Sequence, residues 1–226
     1  MYATNALKAP VQEPAVLTQA ELTARMERLP LSKVHKRVFM LTAAGYLFDA
    51  YDIALLAFIM PALSADLHLS APQIGLVFSA TFAGMFVGAL LSGVASDYFG
   101  RLRVFKYTLL LFSVATAAAG FVNNYETLLV LRFITGLGLG GEQPVSYTYV
   151  SEMTPSKYRG RIVGIVEAMW GFGAMLAGAV SLLIVPNYGW KFAFFAGAAP
   201  GMLGRALLRT PAASPSWLCR LLLEKK

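Results

Sequence analysis

Residues 126–144 read ETLLVLRFITGLGLGGEQP. The stretch is apolar enough to lie inside a membrane-spanning helix, yet it carries Arg132, Glu142 and four glycines. On insertion scales a charge at the centre of such a helix costs about 2.5–3.5 kcal/mol. Charges persist there only where they face protein, water or a substrate, so partners must stand elsewhere in the chain or in a ligand.

Composition fixes the solvent. Of 226 residues, 57% are hydrophobic and 14% charged, whereas soluble domains carry about a quarter charged residues. The chain is therefore expected in a lipid bilayer. Its net charge of +7 would suggest nucleic acid for a soluble protein, but the distribution below accounts for it without that partner. One cysteine, Cys219, gives neither a disulfide framework nor a Cys-based metal site. His35 and His68 lie in separate polar segments without ligand spacing, so no metal or cofactor is expected. The spans hold no nucleophile–base or metal constellation, which argues against an enzyme.

Crossing about 30 Å of hydrocarbon takes roughly 20 residues. Six stretches qualify: 38–63, 74–95, 104–122, 127–149, 162–185 and 192–208. Short loops with turn residues join them, such as Ser70-Ala71-Pro72 and Asn123-Asn124. Residues 1–37 are polar, lack the apolar core of a signal peptide and read as a cytoplasmic tail. Lys and Arg mark the sides. Six fall in that tail, three in the 2–3 junction, three in the 4–5 loop and five from Arg205 onward, against Lys191 alone on the other face. Both termini are thus expected in the cytoplasm of a multi-pass cell-membrane protein. Gly84, Gly88 and Ser92, spaced by four, form a small-residue stripe of the kind that lets helices pack closely. The glycines from Gly136 to Gly141 follow no strand and have no lysine where a phosphate loop needs one. Close helix approach or a locally kinked wall is their expected role.

The 2–3 junction, Gly93-Val-Ala-Ser-Asp97-Tyr-Phe-Gly100-Arg101-Leu-Arg103, resembles the signature loop of the major facilitator superfamily, with Gly93, Asp97, Gly100 and Arg101 in register. Tyr98 stands where a base is usual, and the second base is displaced to Arg103. The segment Glu152-Met-Thr-Pro155-Ser-Lys-Tyr-Arg159-Gly160-Arg161 is similar to the family's other cytoplasmic loop. The resemblance implies a gating charge cluster of Asp97, Arg101, Glu152, Arg159 and Arg161. Residues 211–218 resemble the segment after the sixth helix in sugar-porter-like members, with Ala213 and Ser216 replacing its charges.

Helical rise, about 1.5 Å per residue, gives depth. Asp49 falls near mid-membrane, and Asp52 and Arg132 both lie roughly 20 Å from the cytoplasmic edge. An ion pair between Arg132 and Asp52 or Asp49 is therefore available. Glu142 and Glu167 share a level roughly 8 Å from that edge. Consecutive spans are usually neighbours, so the two are expected as a carboxylate pair able to hold and release a proton. A buried salt bridge that only fixes packing is the alternative for these residues. Spans three and six carry charge only at their cytoplasmic ends. That layout is similar to the family's, where the first and fourth helices line the cavity, and the third and sixth face lipid.

Phe48-Asp-Ala-Tyr-Asp52, the stretch from Arg132 to Pro144 and Glu167-Ala-Met-Trp170-Gly resemble the metabolite:proton symporters of the niacin and aromatic-acid type. The resemblance implies an all-α membrane protein with a 3+3 inverted repeat. It also implies proton-coupled symport of a small organic anion, with Asp49, Asp52, Arg132, Glu142 and Glu167 handling substrate and protons. The superfamily joins two six-helix halves around the substrate site. The bundle at 38–209 corresponds to the N-terminal half, with 210–226 a cytoplasmic tail that reads as truncated, so a second half is the expected partner. A six-helix subunit that does not transport is the competing expectation.

Overall fold

The computed structural model describes residues 33–154 and 156–198. The expected tail at 1–32, the sixth span beyond Ala198 and the segment 211–218 lie outside the described residues. Among those described the chain is helical: α1 Lys33–Asp66, α2 Ala71–Phe99, α3 Arg101–Ala119, α4 Tyr125–Met153, α5 Ser156–Tyr188 and α6 Trp190–Gly197. Three stretches, Thr42–Asp66 of α1, the whole of α2 and the whole of α5, are long and apolar enough to cross a bilayer. α3 and α4 are less apolar for local reasons. α3 opens on Arg101, Arg103 and Lys106, while α4 contains Arg132, Glu142 and the glycine run.

Breaks between helices follow local chemistry. Gln73 Oε1 accepts from both the Ser70 amide and the Ser70 hydroxyl at 2.9 Å, fixing the start of α2. Asn124 Oδ1 accepts from the Thr127 amide at 3.0 Å and caps α4. Gly100 (φ +86°) separates α2 from α3, and Gly189 (φ +82°) separates α5 from α6. Both are left-handed conformations that a side chain disfavours. At the α6 start, the Trp190 indole N–H donates to Asp66 at 3.1 Å and the Lys191 ammonium donates to Asn123 at 2.7 Å.

Packing is organised in pairs. α2 and α4 run parallel with glycines in the seam. A Cβ on Gly84 would strike the Phe133 carbonyl, one on Gly136 the Thr81 carbonyl, and one on Gly140 the Met85 backbone. The expectation of close helix approach therefore holds, and α4 remains a regular helix through its glycine run and through Pro144. On its other flank, Gly138 and Gly141 admit Phe112 and Thr108 of α3. α1 packs parallel to α5, with Gly173 against the Leu47 carbonyl. Consecutive helices are mostly not the close pairs: α4 touches α5 only slightly, and α1 lies between them. Exchanging the first three helices for the last three carries the α1–α5 pair onto α4–α2, and α3–α4 onto α6–α1; all four contacts are present.

The core divides by level. Toward the Asp66 end, Leu55, Ile59 and Leu63 of α1 pack with Leu128, Trp190 and Phe194. Deeper along the bundle, Phe105, Leu109 and Phe112 of α3 enclose Leu139 and Val145 of α4. α2 and α5 expose apolar residues outward, among them Phe82, Phe86, Leu90, Phe172, Met175 and Leu182.

The seam gives a direct stability test. Gly140→Ala forces the α2 and α4 backbones apart and is expected to lower stability by about 1–3 kcal/mol. Gly171→Ala, where a Cβ meets nothing within 4 Å, is expected to leave it unchanged. Thermal unfolding of the detergent-solubilised variants reads the difference.

Candidate functional site

At mid-bundle the α4 and α1 charges meet. Arg132 Nη1 donates to Asp52 Oδ2 at 3.0 Å, and both side chains are completely buried. Thr116 of α3 donates its hydroxyl to the other Asp52 oxygen at 3.3 Å. The Phe194 ring of α6 lies 4.6 Å from the guanidinium carbon, a cation–π contact in a desolvated place. The neighbouring Tyr51 hydroxyl donates to the Ala193 carbonyl at 3.0 Å, holding α6 against α1. Four helices therefore converge on one ion pair. Arg132 Nε and Nη2 have no hydrogen-bond partner among the described residues.

α3 and α6 each turn one face to the charges, with Thr116 and Phe194 fully buried, while Tyr107 and Val114 of α3 and Phe192 of α6 are exposed on the outer side. Thr116 carried a signal: it is polar and lies at the depth of Asp52 by helical rise. Phe194 carried none, since an aromatic residue facing a cation looks like any core aromatic.

Glu142 lies a little under three turns further along α4. It is fully buried, with its carboxylate against the backbone of Gly45 and near the Phe105 ring. The expected companion, Glu167, is not its neighbour. Glu167 sits exposed on α5, and Tyr46 of α1 stands between the two helices, packing on Tyr147 of α4 at 5.4 Å and Trp170 of α5 at 5.8 Å. The reason is the pairing of helices: α1 separates α4 from α5, so equal depth did not mean contact. The carboxylate near Glu142 is instead Asp49, one turn beyond Gly45 on the same face of α1. Asp49 is also fully buried, and its electrostatic neighbours are Glu142 and Asp52. Neither Asp49 nor Glu142 has a hydrogen-bond partner among the described residues.

The residues of the two signature loops lie at one end of the bundle, because the parallel α2 and α4 finish there. Gly100 makes the turn; Asp97 and Arg103 are exposed, and Arg101 is half-buried. A Cβ on Gly93 would meet nothing within 4 Å. In the other loop Arg159 donates to the Thr154 carbonyl at 3.4 Å, and Arg161 is exposed. The side chain of Glu152 lies outside the described residues.

Residues 42–217 match the sequence pattern described as the Major Facilitator Superfamily. The chain belongs to that superfamily. The niacin transporter NiaP of Acinetobacter baylyi is 43% identical over 182 residues, covering 80% of this chain and 42% of the relative. A 4-hydroxybenzoate transporter of the same organism, PcaK, is 34% identical over 168 residues, covering 74% of this chain and 37% of the relative. The inward-open xylose transporter XylE of Escherichia coli superposes with a TM-score of 0.74 at 21% identity, covering 85% of this chain and 53% of that one. The superposition speaks for the fold. The chain spans about 42% of the length of the niacin transporter it matches. With its apolar helices, this major facilitator chain is a membrane protein, as the composition required.

The ion pair sets a stability test. Removing one partner of a buried pair costs about 3–5 kcal/mol, so Arg132→Gln is expected to fall in that range. The double variant Asp52→Asn, Arg132→Gln leaves no isolated charge and is expected to recover most of the loss. Thermal unfolding of the single and double variants measures the coupling.

Proposed function

We propose that this chain supplies the N-terminal six-helix half of a proton-coupled symporter for a small organic anion. Both termini would be cytoplasmic in the inner membrane, and a second half would complete the site. The observation that carries the reading is the geometry of Arg132. Asp52 occupies Nη1 alone, leaving the Nε and Nη2 edge, which matches a carboxylate by two parallel hydrogen bonds. A carboxylate substrate is the ligand this edge fits. The 3+3 repeat is supported by the helix pairs, which exchange when the first and last three helices are swapped.

Proton coupling follows from the same pair. An anion that reaches Arg132 would compete with Asp52 for the guanidinium, so its capture would alter the charge balance among the carboxylates beside the pair. Proton uptake and anion capture would thus be linked through one residue. Asp49, Glu142 and Glu167 are the further carboxylates that would take part in proton movement. The Asp97, Arg101 and Glu152 end, with Arg103, Arg159 and Arg161, would gate the cytoplasmic side by forming and breaking ion pairs as the halves rock. Niacin-type and aromatic acids are the substrate class, because the relatives named above carry those compounds by name.

The chain spans 42% of the length of the niacin transporter, and the second reading is a membrane subunit that does not transport by itself. Uptake of labelled nicotinate and 4-hydroxybenzoate into proton-energised vesicles separates the two. Vesicles with this chain and a co-expressed C-terminal half are expected to accumulate substrate and to lose it when the gradient collapses. Vesicles with the chain alone are expected to be inactive. No accumulation in either case sinks the symport reading for this polypeptide. In the active pair, exchanging the charges by Asp52→Arg with Arg132→Asp is expected to preserve assembly and abolish uptake. Retained uptake would assign the pair to packing alone.

A further inference from the structure

Three aromatic side chains from three helices meet around α1, in a cluster that neither the ion pair nor the signature loops use. Tyr46 of α1 is buried, with Tyr147 of α4 edge-on to it at 5.4 Å and Trp170 of α5 tilted against it at 5.8 Å. Tyr147 and Trp170 are only half-buried, and among the described residues they make no ring contact with each other. They therefore flank Tyr46 and keep part of their rings accessible. A narrow cleft beside the cluster is lined by Thr42, Tyr46, Ser146, Tyr147, Val163 and Val166. The Ser146 hydroxyl in that cleft is buried and has no hydrogen-bond partner among the described residues.

Glu167 stands one turn before Trp170 on the same face of α5. It is the only charged residue between Arg161 and Tyr188, it is exposed, and it has no ion-pair partner among the described residues. A carboxylate within a membrane-crossing helix does not face lipid, so this face of α5 opens onto a cavity or a partner. The surface around it is roomy: a Cβ on Gly164 or Gly171 meets nothing within 4 Å. The Tyr46 ring lies in the field of Glu167, Asp49 and Glu142. Carboxylates and π faces together repel an anionic group and attract the electron-poor edge of a ring, or an N–H or O–H upon it.

We propose that Tyr46, Tyr147, Trp170 and Glu167 form a subsite for the ring of an aromatic substrate. The ring stacks against Tyr147 and Trp170, and Glu167 accepts a hydrogen bond from a donor on the ring's far edge, a phenolic O–H or a pyridinium N–H. The substrate's own carboxylate turns away from Glu167, because like charges repel. Such a subsite selects flat acids with a donor remote from the carboxylate over saturated or unsubstituted ones. The proposal deepens the symport reading and rests on it for the ring being cargo; binding itself does not require transport.

Saturation-transfer NMR on the full chain in lipid nanodiscs tests the subsite, with empty nanodiscs as the blank. The probes are 4-hydroxybenzoate, benzoate, which lacks the donor, and cyclohexanecarboxylate, which lacks the π face. Binding is expected to weaken in that order, with 4-hydroxybenzoate about tenfold tighter than benzoate. Trp170→Leu is expected to weaken both aromatic acids by about tenfold, and Trp170→Phe to restore them. Glu167→Ala is expected to bring 4-hydroxybenzoate to the level of benzoate and to leave benzoate no weaker. Equal binding of cyclohexanecarboxylate and benzoate overturns the subsite, as does the absence of saturation for every probe. A preference for 4-hydroxybenzoate that survives Glu167→Ala overturns the role of that carboxylate. Should Trp170→Leu fail to insert, the order of the probes on the unsubstituted chain decides alone. Binding in the expected order by a chain that fails to transport with its second half would keep the subsite and lose the symport reading.

Discussion

A guanidinium cannot sit unpaired in the middle of an apolar bundle, and the architecture around Arg132 is a response to that constraint. Its partner comes from α1, the hydroxyl that steadies the partner from α3, and the aromatic face that covers the cation from α6. These helices are far apart in sequence, so the site exists only when all of them are assembled. A buried pair adds little net stability over a well-packed apolar alternative. Its retention here is more naturally connected with specificity of assembly and with a role for the charges themselves.

Distance along the bundle separates two kinds of electrostatic problem. Toward the Asp66 end, opposite charges cancel and leave one edge of the guanidinium free. Nearer the Gly100 end, the Asp49 and Glu142 carboxylates are buried with no hydrogen-bond partner among the described residues. Asp49 and Asp52 are only three residues apart on α1, so both problems are posed on one stretch of helix. That closeness offers a physical route by which occupancy at one level can influence the other through charge alone.

Much of this could be read from residues in order. Helical rise placed Asp52 level with Arg132, and the structure joins them. Spacing by four of Gly84 and Gly88 announced close packing, and the partner strip on α4 is the glycine run itself. Gly100, in register with the signature loop, has the left-handed backbone that glycine takes easily. What could not be read was lateral order. Depth comes from counting along one helix, whereas neighbourhood depends on which helices pack side by side. Glu142 was therefore assigned to Glu167 at its own level, although α1 stands between them with Tyr46. Phe194 likewise looked like an ordinary core aromatic, because nothing in its local sequence tells that a cation lies over its ring.

The glycine seam between α2 and α4 has a mechanical consequence. Where backbone touches backbone there are no long side chains to change rotamer, so the two helices cannot slide past each other by small adjustments. A shift of one turn would bring Leu137 or Phe133 to places that now admit only a hydrogen atom. The pair is thus a girder, rigid along its length. Backbone contacts of this kind recur at Gly84, Gly136 and Gly140 in this seam, whereas the α1–α5 contact has one such glycine, Gly173 against Leu47, so bending in this half of the molecule is more readily taken up there.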